Sequence, residues 1–273
     1  MKLISWNIGR RTEAWRRLLD TDADIALLQE ATEPPPDVAS RVVVDVEPWR
    51  TEGVGAKSQY RAAVVRLTNR VQLDWLKPAH IEDAAPGDIA VSRRGTLAVA
   101  KATAPNGVGC LVVSMYGFWE TPHRSTGSGW IYADASVHRL ISDLSALIGH
   151  QNGHRILAAG DLNILYGYGE YGSAYWASRY ATVFSRMAAL GLSFVGPQAP
   201  AGRQVDPWPR ELPLTSKNVP TYHTTRQTPA TATRQLDFVF ASKGLVEHVH
   251  VRALNLVDDW GPSDHCRIKI EIS

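Results

Sequence analysis

The chain has 273 residues, 44% of them hydrophobic and 21% charged, the balance of an ordinary soluble globular protein. No stretch long enough to cross a bilayer is free of charged and polar residues, which excludes a membrane-spanning helix. The net charge of +2 is too mild to demand a nucleic-acid partner, although a local patch is enough to bind one. Length alone permits one large domain or two small ones.

In chain order, Lys2 to Trp6 reads as a first strand that starts at the N-terminus without the basic and apolar regions of a signal peptide, so a cytoplasmic location is expected. A short helix follows over 12–19, with Trp15, Leu18 and Leu19 on one face. Asp24 to Leu28 is a buried strand ending at Gln29-Glu30. Further strands are predicted over 62–67, 97–102, 111–116, 155–159, 236–241 and 267–272. Val137, Leu140, Ile141, Leu144, Leu147 and Ile148 recur at helical spacing. A second amphipathic helix covers 175–190, with Trp176, Tyr180, Val183, Phe184 and Met187 on one stripe and Gly191 closing it. The Pro-rich segment 197–220 fits neither element and is expected as a long surface loop. Cys110 and Cys266 sit in apolar runs with no CxxC or Cys/His neighbourhood, the pattern of buried thiols rather than of a disulfide or a zinc site. No repeat or linker divides the chain, so residues 1–273 are expected to form one domain, a mixed sheet or two packed sheets flanked by helices.

Polar residues that interrupt or end these strands carry the chemistry. Asn7 follows the first strand and Glu30 ends the second. Asp161 and Asn163 follow Ile-Leu-Ala-Ala-Gly, Asp237 lies in Leu-Asp-Phe-Val-Phe, and Asp264-His265 precedes the last strand. An isolated carboxylate in an apolar run costs several kcal/mol unless it is paired or binds a metal. Singly, each is an ordinary turn or cap; together at strand ends they point to a site. Oxygen donors such as Asn7, Glu30 and Asp264 suit a hard cation, Mg²⁺ or Mn²⁺, that pairs naturally with a phosphate. Asp161 would orient and deprotonate a water, Asn163 would hold that water or the phosphate, and His265, fixed by Asp237, would contact the phosphate or the leaving oxygen.

The ordered set Ser5-Trp6-Asn7, Leu28-Gln29-Glu30, Gly160-Asp161-Leu162-Asn163, Leu236-Asp237-Phe238 and Ser263-Asp264-His265 resembles the endonuclease/exonuclease/phosphatase superfamily, which includes AP endonucleases, DNase I, deadenylases and inositol phosphatases. The resemblance implies a DNase I-like four-layer α/β sandwich: two mixed β-sheets packed face to face and flanked by helices. It implies Asn7, Glu30 and Asp264 as metal ligands, Asp161 as the water-activating residue, Asn163 as the phosphate- and water-orienting one, and Asp237–His265 as the family's pair. In motif pattern the chain is nearest to the exonuclease III/AP-endonuclease-like branch. Tyr116 resembles that branch's phosphate-contacting Tyr, and the tract Thr221-Tyr222-His223-Thr224-Thr225-Arg226 also resembles it, making His223 and Arg226 candidate substrate contacts. The chain departs from that branch at Gly117-Phe118-Trp119-Glu120, at Arg234-Gln235-Leu236-Asp237 and at Ile8-Gly9-Arg10.

Directly after Asn163 comes Tyr166-Gly167-Tyr168-Gly169-Glu170-Tyr171, while Phe118, Trp119 and Trp130 follow the strand that ends at Tyr116. Both segments are expected at the rim, where Tyr166, Tyr168 and Trp119 would stack on single-stranded bases; the alternative is that these rings pack the following helix. The expected function is hydrolysis of nucleic-acid phosphodiesters, DNA or RNA. A phosphatase or phosphodiesterase acting on a small phosphorylated metabolite or lipid headgroup is the second reading, and a binding module without catalysis the third.

Overall fold

The computed structural model describes residues 1–53, 56–150 and 154–273. The apolar runs form strands that alternate between two buried faces. In β1 (Lys2–Asn7), Leu3 faces one core while Ile4 and Trp6 face another. The same alternation recurs in β2 (Ile25–Ala31), β4 (Arg61–Arg66), β7 (Gly109–Tyr116), β8 (Ile156–Asp161) and β10 (Asp237–Ser242). Strands covered on both sides read as continuous apolar runs. With β3 (Val43–Val44), β5 (Gln72–Leu76), β6 (Leu97–Thr103), β9 (Leu192–Gly196), β11 (Val249–Leu254) and β12 (Arg267–Ile272), they make two six-stranded sheets. The first has the order β11-β12-β1-β2-β4-β3 and the second β9-β10-β8-β7-β6-β5.

The central core lies between the sheets, where Leu3, Ile25, Leu27 and Val64 meet Ala100, Val112, Leu157 and Val239. On the outer face of the first sheet, Trp15 and Leu18 of α1 (Thr12–Leu18) and Val38 of α2 (Pro36–Ala39) cover Trp6, Leu28 and Val65. On the outer face of the second, α3 (Ala133–Ser145) and α4 (Ala174–Ala189) cover Val113, Ala158, Phe238 and Phe240. The α4 N-terminus is capped by Ser173, whose Oγ accepts from the Trp176 N–H at 3.4 Å, and Gly191 leaves its C-terminus at φ +78°. This is the four-layer α/β sandwich that the motif pattern implied. No helix among the described residues is long and apolar enough to cross a membrane. Cys110 and Cys266 are free and buried.

Topology gathers the chemistry. β1 and β2 run parallel at the middle of one sheet, and β7 and β8 run parallel at the middle of the other. Their antiparallel neighbours β12 and β10 therefore begin where β1 and β8 end. Residues at the C-termini of β1, β2, β7 and β8 and at the N-termini of β10 and β12 meet at one edge of the sandwich.

Asp24 clasps the opposite end. Its carboxylate accepts from the Lys2 N–H (2.8 Å), Thr68 Oγ1 (2.9 Å) and Arg70 Nε (2.6 Å), tying β1, β2 and the turn after β4. Burial alone would raise its pKa, but the Lys2 N–H, Arg70 and Thr68 outweigh it and hold the carboxyl below its usual value. Its stabilising contribution is thus complete above the unfolded pKa and lost as pH falls through the lower folded one. Asp24→Asn, which turns a donor toward these donors, is expected to cost about 1–3 kcal/mol in urea unfolding at pH 7. The gap to the parent protein should close as pH drops below about 4.

Strands over 43–44, 72–76, 192–196 and 249–254 were not expected. Each is short or lies toward a sheet edge and shows solvent on one side, as in β11, where His250 and Arg252 point outward between Val249 and Ala253. Segment 197–220 contains no helix or strand, as its prolines predicted.

Candidate active site

Asp161 ends β8, register partner of both Tyr116 on β7 and Asp237 on β10. Its Oδ2 accepts from Asn7 Nδ2 at 2.9 Å, a contact that bridges the two sheets, and from Asn163 Nδ2 at 3.3 Å. Its Oδ1 accepts the Asn163 backbone N–H at 2.9 Å. His265 sits between the two carboxylates, with Nδ1 2.8 Å from Asp237 Oδ2 and Nε2 3.7 Å from Asp161 Oδ2. Asp161, Asp237 and His265 are all buried. Thr221 Oγ1 accepts the Leu236 and Asp237 N–H groups and so fixes the start of β10.

Electrostatics follow from this packing. Burial, opposed by His265 and reinforced by Asp237, raises the Asp161 carboxyl well above the usual carboxylate range. Burial works against charge on His265, but Asp237 and Asp161 outweigh it and keep the imidazole protonated. Burial and then Glu30 hold the Tyr116 phenol far above its normal pKa, so its hydroxyl stays a donor, to Glu30 Oε1 at 2.8 Å.

Three non-glycine residues at this edge adopt left-handed backbone: Arg10 (φ +62°), Glu30 (φ +46°) and Asn163 (φ +53°). Such conformations cost roughly 1–3 kcal/mol each and persist where neighbours over-determine them. Glu30 lies where the β2–β4 register breaks between Leu28 and Ala31, a bulge that turns its side chain to the cleft. Asn163 Nδ2 donates to Gly117 O (2.8 Å), and the Gly117 N–H donates to Asp161 O (2.8 Å), which locks the exits of β7 and β8 together.

Glu30, Asn7 and Asp264 offer two carboxylates and one amide oxygen. Among the described residues no group of three His, Cys, Asp or Glu side chains forms a metal cage. Asn7 Oδ1 accepts the Gly9 N–H at 3.0 Å. A Cβ on Gly9 would stand 3.4 Å from Asp264 Oδ1, so the glycine leaves room beside that carboxylate. Arg10 Nε lies 3.1 Å from Glu30 Oε2. An all-oxygen set with few protein donors fits Mg²⁺ or Mn²⁺, which keep waters and share phosphate oxygens.

A cleft of about 1100 Å³ opens over these groups, and Glu30, Tyr116, Asp161, Asn163, Asp264 and His265 all line it. Trp119 lines it too and is 60% exposed. Four expected substrate contacts lie elsewhere. Tyr166 packs on Phe184 (4.5 Å between ring centroids) and Phe194 (4.8 Å), because Ile164 and Leu165 are buried and draw the chain beneath α4. Tyr168 is packed against the same core. His223 follows Tyr222, which bridges Arg234 and His265; side-chain alternation turns Tyr222 into the cleft and His223 onto Trp260. Arg226 is exposed on a turn outside the lining. Arg93, whose guanidinium lies 3.9 Å from the Phe118 ring centre, enters the cleft from the segment just before β6 and left no signal beyond a pair of arginines.

A family model described as the Endonuclease/Exonuclease/phosphatase family matches residues 4–265. The chain belongs to this family. Among solved structures, the endonuclease domain of TRAS1, a telomere-specific non-LTR retrotransposon, is similar at TM-score 0.61 and 17% identity over 99% of this chain and 97% of that one. The AP endonuclease LMAP from Leishmania major is similar at TM-score 0.62 and 13% identity, covering 99% of this chain and 87% of the other. The 3′-5′ exonuclease NExo from Neisseria meningitidis is similar at TM-score 0.55 and 18% identity over the full length of both chains. At such identities the likeness is one of fold. A search of curated protein sequences finds no significant match.

Proposed function

We propose that this member of the family is a divalent-metal-dependent phosphoesterase that hydrolyses phosphodiester bonds of nucleic acid. The observation that carries the reading is Asp161 Oδ2, ringed by Asn7, Asn163 and His265 at the floor of the cleft. Glu30, Asp264 and Asn7 would hold the cation, which when bound polarises the phosphoryl oxygen and offsets charge in the transition state. Asp161 takes a proton from water as the water oxygen bonds to phosphorus and the P–O3′ bond breaks; the departing O3′ takes a proton from solvent and leaves as a 3′-hydroxyl. Asn163 orients that water or the phosphate. His265, kept protonated by Asp237, and the Tyr116 hydroxyl donate hydrogen bonds to phosphate or leaving oxygens.

The near-neutral net charge of +2 favours a second reading, a small phosphorylated substrate. A panel of single- and double-stranded DNA, RNA, abasic duplex and a generic phosphodiester, run with Mg²⁺ or Mn²⁺ and with EDTA, separates the two. The expected result is metal-dependent cleavage of nucleic acid, abolished by EDTA, with affinity falling on a steep log–log slope as salt rises. Hydrolysis confined to the small phosphodiester, with little salt dependence, would establish the second reading instead.

A further inference from the structure

We infer that the cleft takes unpaired nucleotides and stacks their bases on an aromatic wall of Trp119, Trp130, Tyr171 and Trp176; this rests on the nucleic-acid reading above. All four rings line the cleft that holds Asp161 and His265. Trp119 is 60% exposed, Trp130 61% and Tyr171 97%. Large rings left in water beside a phosphate-sized polar centre lack a folding role and present π-faces to a ligand.

The wall is braced from behind. Trp130 lies 6.3 Å from Trp176 between ring centroids, and Trp176 rests 5.9 Å from Tyr180 on α4. The Arg179 guanidinium sits 5.3 Å from the Trp176 ring and 5.5 Å from that of Tyr132, and is held by Asp134 at 2.6 Å. Tyr171 is held out by a left-handed backbone (φ +54°) directly after two anchored residues. Glu170 pairs with Arg234 at 2.8 Å. Gly169, just before it, packs so tightly that a Cβ there would lie 2.2 Å from Ser173 O, at the start of α4. A strained, solvent-exposed tyrosine kept at the lip of a cleft is placed for contact with a ligand.

Charge complements this arrangement. Glu120, Asp134 and Glu170 at the wall are matched by Arg139, Arg179 and Arg234. Arg10, Arg11 and Arg93 line the same cleft and can follow a phosphate backbone. Bases inside a duplex hide their faces in their own stack, so only frayed, flipped or single-stranded bases can use such a wall. Rings contributed by both the 119–130 and 171–176 segments make room for more than one base.

The test measures Kd by fluorescence anisotropy in Ca²⁺ buffer for a labelled oligothymidylate, an equally long chain of abasic tetrahydrofuran residues, and a blunt duplex. Trp130→Ala and Tyr171→Ala are each expected to weaken oligothymidylate binding by about 5- to 100-fold. Binding of the abasic chain should stay unchanged, and Tyr171→Phe should behave as the parent. Equal losses on the abasic chain, no loss on oligothymidylate, or tighter binding of the blunt duplex by the parent protein would overturn the inference. Cleavage of the same oligothymidylate with Mg²⁺ or Mn²⁺ separates it from the reading beneath it. Ring-dependent binding without hydrolysis keeps the wall and ends the nuclease assignment; hydrolysis with binding indifferent to both rings does the reverse.

Discussion

Asp161→Asn is expected to lower kcat on a phosphodiester by about 10²- to 10⁴-fold, the range that a positioned general base supplies. The substitution keeps shape and removes the proton acceptor. In the parent protein both carboxylate oxygens accept: Oδ1 from the Asn163 N–H, Oδ2 from Asn7 Nδ2. An amide satisfies only one of these positions and turns its own donor toward the other. It also removes a negative charge 3.7 Å from His265 Nε2, so the imidazole loses one of the two carboxylates that keep it protonated. Steady-state kinetics, with circular dichroism to verify folding, is the measurement. His265→Ala should fall in the same direction through loss of its donor to the phosphate. Full activity in both variants would show that the base and its partner lie elsewhere.

Gly160→Ala is expected to destabilise the protein by about 3 kcal/mol or more, at the severe end of overpacking effects. β7 and β8 approach so closely at this point that an added Cβ would lie 1.8 Å from the Met115 carbonyl oxygen and 2.8 Å from its carbon. The obstacle is backbone within a paired strand, so no rotamer change relieves it. Relief requires parting the strands at the residue pair Tyr116–Asp161, one step beyond Met115–Gly160 in the ladder. Urea unfolding should therefore report a lower midpoint. Activity should fall further than stability alone accounts for, because Asp161 and Tyr116 would lose register.

Much of the sandwich was legible because its central strands are buried on both faces and so read as unbroken apolar runs. The runs at 2–6, 62–67, 97–102 and 267–272 fall within one residue of the observed strands. Edge strands were not legible. In β11 one face meets solvent, and a two-residue strand such as β3 has no period to detect. The site's polar floor was legible for a related reason: a carboxylate or amide stands out at the end of an apolar strand, as Asn7, Glu30, Asp161 and Asp237 do. The rim was not. Trp119 and Tyr166 look alike in sequence, each an aromatic just past a strand that ends in a site residue. One is exposed in the cleft and the other is packed on Phe184 and Phe194.

By itself, then, the sequence determined which runs are strands, the order of the polar strand ends and, through that order, the family. Local periodicity and burial cost write those features directly into residue types. Only the tertiary structure decided how the polar ends meet. The Asn7–Asp161 contact joins two sheets across 154 positions, and the His265–Asp237 contact spans 28. The aromatic wall depended on it equally. Whether a ring faces a core or a cleft depends on how α4 and the loops after β7 and β8 pack, and that packing comes from the whole fold.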